Sequence, residues 1–293
     1  MEVFLRLLDI YRRQDLQINT GLYPWHFERL YPPQAILLHM FAPFTGIAKE
    51  EKGFSTGGGI HILEILLLEA VSRDFQPKNI FIIGNAFGWS TFALALANPS
   101  AQIVAIDALV EGNDALYAHN LCQKIIEDEG FENVKILHAS SPQDVESVVN
   151  THLNGPIELA LIDGKHTPQQ QTLDFQAIQQ VVADEHIVFL HDVLNWNLTE
   201  SFVQLRATYN SLVAKMLMRT PSGMAVFHTP NIPASTARVI DAFTASKESI
   251  RSLQKETQRR VKRTREQLGL TVKARTCYDY SPPAIELSIE IKK

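Results

Sequence analysis

Cysteine is nearly absent. The 293 residues hold two, Cys122 and Cys277, which is too few for a disulfide framework and lacks the paired spacing of a zinc site. Both are expected as reduced thiols. Long apolar runs are missing too: nothing approaches the roughly 20 residues that a membrane-spanning helix requires. The best candidate, Ile60-His61-Ile62-Leu63-Glu64-Ile65-Leu66-Leu67-Leu68, is short and carries His and Glu, which suits a buried helix. The N-terminal stretch has Arg6, Arg12 and Arg13 but no apolar segment ending in a small-residue cleavage site. A cytoplasmic protein without a membrane partner is therefore expected. There is no Gly-x-Gly-x-x-Gly, which argues against a nicotinamide-dependent oxidoreductase, and no Gly-Lys-Ser/Thr of a phosphate-binding P-loop. No internal repeat is visible.

What is present is an ordinary globular balance, 45% hydrophobic and 20% charged. Charge is unevenly placed. Residues 235–293 carry 13 Lys/Arg against 7 Asp/Glu, whereas residues 1–234 carry 14 against 25, so the C-terminal segment reads as a distinct element. We divide the chain into an N-terminal helical arm (1–59), a central domain (60–233) and a C-terminal helical extension (234–293). Residues 1–14 read as an amphipathic helix. Tyr23, Trp25, Phe27 and Tyr31 suit an arm that packs onto something, and Gly57-Gly58-Gly59 reads as a flexible joint.

From Ile60 onward, short apolar runs alternate with helical stretches. Strands are expected at 79–83, 102–106, 134–137, 157–162 and 186–190, with one or two more over 213–227. Helices are expected at 60–75, 90–97, 114–130, 142–153, 168–182 and 198–209. This is the pattern of an α/β fold, a doubly wound, Rossmann-like, mostly parallel sheet covered on both faces. Ligands of such sheets sit beyond the carboxyl ends of the strands. The first strand ends in Ile83-Gly84-Asn85-Ala86-Phe87-Gly88-Trp89-Ser90-Thr91. Glycines there allow a sharp turn and close backbone approach, and Ser90 or Thr91 is placed to cap the next helix. Asp107 ends the second strand, 19 residues after Gly88, where a carboxylate can accept both hydroxyls of a ribose.

Two further strand ends, Ile162-Asp163-Gly164-Lys165-His166 and Val188-Phe189-Leu190-His191-Asp192-Val193, complete a resemblance over residues 60–195. The sequence resembles class I S-adenosylmethionine-dependent methyltransferases, in the O-methyltransferase-like branch called methyltransferase family 24. The resemblance implies that Gly84, Ala86, Gly88 and Ser90 hold the methionine part of S-adenosylmethionine and that Asp107 binds its ribose. It also implies that Ser140 and Ser141 border the adenine and that Asp163 lies beside the transferable methyl. The chain departs from the family at Ile82, where an acidic residue is usual, and at Ala139, where glycine is common.

Related enzymes hold a divalent cation through the ends of the fourth and fifth strands, which here gives Asp163, His191 and Asp192 as ligands. Carboxylates suit Mg²⁺, and the histidine tilts the set toward Mn²⁺ or another transition metal. The alternative catalytic group is His166 as general base beside Asp163, with Lys165 able to serve only if buried. The acceptor is expected to be a small-molecule or saccharide hydroxyl. A non-catalytic protein that keeps the fold for binding stays open as the second reading. The basic stretch Arg259–Arg265 has no interleaved aromatics, so nucleic acid is not expected as a partner. Ile240, Phe243, Ile250 and Leu253 lie at near-heptad spacing, as a homodimer seam would.

Overall fold

The computed structural model describes residues 2–19, 44–49, 53–110, 114–194, 196–244, 259, 270–272 and 289–291. The aromatic arm around Tyr23, Trp25, Phe27 and Tyr31, the basic run beyond Arg259, Ile250, Leu253, Asn195 and Cys277 lie outside them. In chain order the elements are α1 (Glu2–Arg13), β1 (Gln17–Asn19), β2 (Phe44–Lys49), β3 (Gly53–Ile60), α2 (Ile62–Phe75), β4 (Asn79–Ile83) and α3 (Trp89–Ala97). Then come β5 (Gln102–Asp107), α4 (Ala115–Glu129), β6 (Val134–His138), α5 (Val145–His152), β7 (Ile157–Ile162), α6 (Pro168–Gln179) and β8 (Val182–Leu190). The rest are α7 (Thr199–Thr208), β9 (Val213–Leu217), β10 (Met224–His228), α8 (Ala234–Ala242), β11 (Leu270–Val272) and β12 (Ile289–Ile291).

Seven strands form the main sheet in the order β6-β5-β4-β7-β8-β10-β9. The five strands from β6 to β8 run parallel, and β10 pairs antiparallel with both β8 and β9. Side chains alternate across a strand, and the two cores show it. Ile80, Ile82, Ile103, Ala105, Leu159, Leu161, Ile187 and Phe189 pack on one face with α1, α2, α3, α4 and α8. Their neighbours Phe81, Ile83, Val104, Ile106, Ala160, Ile162, Val188 and Leu190 pack on the other with α5, α6 and α7. Both faces are covered, which explains why these strands read as continuous apolar runs rather than alternating ones. The chain winds outward from β4 through β5 to β6, then crosses to β7 on the other side of β4, so the winding reverses between β4 and β7. No helix among the described residues is long and apolar enough to cross a membrane.

Three local expectations are corrected. The glycine triplet is no joint: Gly57 to Gly59 lie inside β3, in the antiparallel sheet β1-β2-β3. A Cβ on Gly59 would stand 2.4 Å from the Trp89 side chain, whose Nε1 donates to Ile60 O at 3.1 Å. Glycine here marks close approach. Ile240 is fully buried in the protein's own core beside α2, with Phe243 packed against the same cluster. Heptad spacing and a core-facing stripe coincide over so short a helix, and Ile240 is not available to a second subunit. The start of α3 is capped by neither Ser90 nor Thr91. Its N-cap is Gly88, and Thr91 Oγ1 donates to Asn85 Oδ1 at 2.7 Å.

The helix at the N-terminus is integral to the main core. Val3, Leu7, Ile10 and Tyr11 form its buried stripe. Tyr11 Oη donates to Phe87 O at 2.6 Å in the turn after β4, and its ring meets Trp89 edge-on at 5.1 Å. Arg13 pairs with Glu129 on α4. Leu7→Ala should therefore cost about 2–5 kcal/mol in urea unfolding, whereas Leu5→Ala, 58% exposed, should stay within about 0.5 kcal/mol. Equal small effects would mean that α1 is dispensable to the core.

Candidate functional site

The parallel ladder sets the site. Ile83 pairs with Ile106 and Ile162, and Ile162 pairs with Leu190. The register carries on one residue past the strands: Gly84 N donates to Ile106 O (2.9 Å), Asp163 N to Ile83 O (2.8 Å) and His191 N to Ile162 O (3.0 Å). At the other end Asp107 O accepts from Ala139 N at 3.1 Å. Asp107, Gly84, Asp163 and His191 thus stand side by side along one sheet edge, at the reversal of winding where such folds bind ligands.

The turn from β4 into α3 is held from three sides. Gly84 has φ +89°, and a Cβ there would lie 2.0 Å from Asp163 O, so only glycine fits between the strand ends. Asp107 Oδ2 accepts from the amides of Asn85 and Ala86, each at 2.9 Å, while Oδ1 accepts from Leu109 N at 2.8 Å. The carboxylate therefore shapes the turn as well as facing the edge, and an ionised carboxylate has about four acceptor sites. Ala86 takes φ +43°. Ser90 is buried. Ser140 N donates to Asp144 Oδ2 at 2.7 Å, and Ser141 Oγ donates to Asp174 Oδ1 at 2.6 Å, so the Ser141 hydroxyl is tied to α6. Beneath the turn lies Cys122, fully buried, whose thiol burial pushes up to about 12.

Next to this turn is a charge cluster. His191 Nδ1 lies 3.0 Å from Asp163 Oδ1 and 3.6 Å from Asp192 Oδ1. His166 Nε2 lies 3.1 Å from Asp192 Oδ2 and 3.4 Å from Asp163 Oδ1, yet makes no aligned hydrogen bond to either. Trp196 stacks on the His166 ring at 5.1 Å. Burial opposes charge on both histidines, but the carboxylates outweigh it: His166 is raised to about 10 and His191 well above its ordinary value. Burial likewise opposes charge on Asp163 and Asp192, but the histidines hold both below the usual carboxylate range. The general-base role expected of His166 thus meets a pair of carboxylates that favour its protonated form. Lys165 is exposed, so the condition for its use as base is not met.

Glu64 completes the cluster and escaped the sequence reading. Its carboxylate is fully buried. Oε2 accepts from His61 N (2.8 Å) and faces His191 Nε2 at 3.0 Å, while Oε1 accepts from Ser222 N (3.0 Å) and from the Ser222 hydroxyl. Its signal was a glutamate inside an apolar helix, three residues after the capping His61. Asp163, His191 and Asp192 each offer a ligand atom within 4.8 Å of one another. Carboxylate oxygens with one imidazole nitrogen suit a divalent cation. The donor set fits such an ion, with Glu64 as the outer partner that orients His191.

Residues 81–193 match the family model Methyltransf_24, described as a methyltransferase domain. That stretch of the chain is similar to a methyltransferase domain. No curated protein matches the sequence. Among solved structures, an O-methyltransferase from Bacillus cereus in complex with SAH is 14% identical, with 59% of this chain and 83% of that chain covered and a TM-score of 0.49. TomG, an O-methyltransferase from Streptomyces achromogenes involved in tomaymycin synthesis and solved with SAM, is 15% identical over 59% and 83%, TM-score 0.49. A methyltransferase from Geobacter sulfurreducens is 15% identical over 58% and 79%, TM-score 0.47.

A side chain on Gly88 would meet protein. A Cβ there would stand 2.7 Å from both Cys122 Sγ and Phe92, at φ +79°. Gly88→Val should therefore lower the unfolding midpoint by several degrees as well as abolish cofactor binding. Loss of binding with an unchanged midpoint would show that the turn absorbs the branch without disturbing the core.

Proposed function

We propose that the protein is an S-adenosylmethionine-dependent O-methyltransferase acting on a small-molecule or saccharide hydroxyl. One observation carries this reading: the shared register aligns the Gly84–Gly88 turn, Asp107 and the Asp163/His191/Asp192 cluster on one edge of a methyltransferase domain. The turn would hold the methionine portion of the cofactor. Three of the roughly four acceptor sites of Asp107 are taken by amides, which leaves it room for one ribose hydroxyl, and the segment around Ser140 would border the adenine. When bound, the cofactor supplies an electrophilic methyl, and a divalent cation at the cluster lowers the pKa of a hydroxyl.

The chain's own residues have plain tasks. Asp163 stands between turn and cluster, so its carboxylate would accept a hydrogen bond from the acceptor hydroxyl and orient it. His166, stacked on Trp196, stands beside both aspartates. Transfer needs little covalent help from protein, because in-line placement of the two reactants supplies most of the acceleration. The same proposal places the protein in the cytoplasm. Ile240 is enclosed in the core and does not serve a homodimer seam, and Ile250 and Leu253 lie outside the described residues.

Calorimetric titration of the purified chain with S-adenosylhomocysteine and with NAD tests the reading. Binding of S-adenosylhomocysteine alone is expected, and Asp107→Ala should weaken it by about 1.5–3 kcal/mol. Asp107→Asn, which keeps one acceptor oxygen for the turn amides, should lose less. Wild-type protein that ignores S-adenosylhomocysteine at millimolar concentration overturns the assignment.

A further inference from the structure

Asp174 is a buried carboxylate that the proposed reaction does not use. It sits on α6, 1% exposed, and no cationic side chain among the described residues pairs with it. Burial pushes its carboxyl up, against the opposing hydrogen bonds of Ser141 and Gln170. Both bonds fall on one oxygen. Oδ1 accepts from Ser141 Oγ at 2.6 Å and from Gln170 Nε2 at 2.7 Å, and the same Gln170 Nε2 donates to Ser141 O at 2.9 Å. Ser141 is thus gripped by its hydroxyl and its carbonyl together. The other oxygen, Oδ2, lies against Gly164, 3.4 Å from where a Cβ would stand. Ser141 follows β6 and Gly164 follows β7, and β5 and β4 lie between those strands in the sheet. At about 4.8 Å per strand, β6 and β7 are roughly 14 Å apart. The segment after β6 therefore has to reach past β5 and β4 to meet α6. Its Ser140 end is closed on itself: Ser140 N donates to Asp144 Oδ2 at 2.7 Å, and Ser140 O accepts from Asp144 N at 2.8 Å. Its tie to α6 is the bond set at Ser141.

We propose that Asp174, with Gln170, is a positioning residue for the cofactor's adenine: through Ser141 it holds the Ser140–Ser141 segment at a set place relative to Gly164 and Asp163. The inference rests on the S-adenosylmethionine reading above. Adenine and methyl are two ends of one ligand. The spacing between the segment after β6 and the end of β7 decides whether both ends are engaged at once, and in-line transfer depends on that. An ionised acceptor makes the two bonds on Oδ1 short and strong, and burial keeps competing water from them. Asp174 acts through Ser141, not on the ligand, and this role is separate from the cation cluster.

The test is calorimetric titration of the full chain with two ligands, S-adenosylhomocysteine and methylthioadenosine, which keeps the adenosine and lacks the amino-acid end. Asp174→Ala should weaken both by the same factor, about tenfold or more, as expected for lost bonds to a charged group. Asp174→Asn keeps an oxygen for Ser141 Oγ and should recover most of the loss. Ser141→Ala combined with Asp174→Ala should lose no more than Asp174→Ala alone, because the two act through one contact. Gln170→Ala removes a donor without touching the buried carboxylate, and should weaken both ligands about threefold; it serves where Asp174→Ala folds poorly. A merely structural role would lower the unfolding midpoint of Asp174→Ala and leave methylthioadenosine affinity unchanged, and that result overturns the proposal. So do additive losses in the double variant, or a loss confined to S-adenosylhomocysteine. Wild-type protein that binds neither ligand overturns the cofactor reading and the proposal together, whereas normal wild-type binding with indifferent variants overturns the proposal alone.

Discussion

Backbone pairing between β5, β4, β7 and β8 decides where every candidate residue stands. Parallel strands have evenly spaced hydrogen bonds, and here the ladder continues one residue beyond Ile83, Ile162 and Leu190. A register slip of one residue would turn each side chain to the opposite face. It would exchange the two cores and scatter Asp107, Gly84, Asp163 and His191. The fit is tight enough that Gly84 cannot carry a Cβ beside Asp163 O. The sheet thus functions as a ruler, fixed by burial of both its faces.

Buried charge is the second constraint. Three carboxylates at a sheet edge repel one another and lose hydration, a cost of several kcal/mol per ion unless opposite charge is supplied. His166 and His191 stand against the aspartates, which push both toward their charged forms. The arrangement draws partners from distant parts of the chain: the start of α2 through Glu64, the end of β8 through His191, and the turn between β9 and β10 through Ser222. These contacts tie elements on either side of the methyltransferase match to its centre, so the flanking segments belong to the site's architecture.

The strands and their ends were legible because a strand buried on both faces has a continuous apolar run, and its stop is marked by Gly or Asp. Gly84, Asp107, Asp163 and His191-Asp192 stood out for that reason. Glu64 did not, because its partner His191 is 127 residues away and no local period encodes such a contact. Gly59 was misread because glycine in a strand and glycine in a joint look alike until Trp89 fills the space above it. Thr91 was misread because Asn85 competes for its hydroxyl. The surroundings of His166 were hidden as well. Its sequence neighbours show Asp163, but Asp192 joins it only through the fold.

A crystal structure of the protein grown with S-adenosylhomocysteine tests the account most directly. The account predicts density for the amino-acid moiety along the Gly84–Gly88 turn, a ribose hydroxyl on the Asp107 carboxylate, and the thioether sulfur facing Asp163. Ligand bound elsewhere, or an Asp107 carboxylate bonded only to the amides of Asn85, Ala86 and Leu109 with the ribose out of reach, would contradict it.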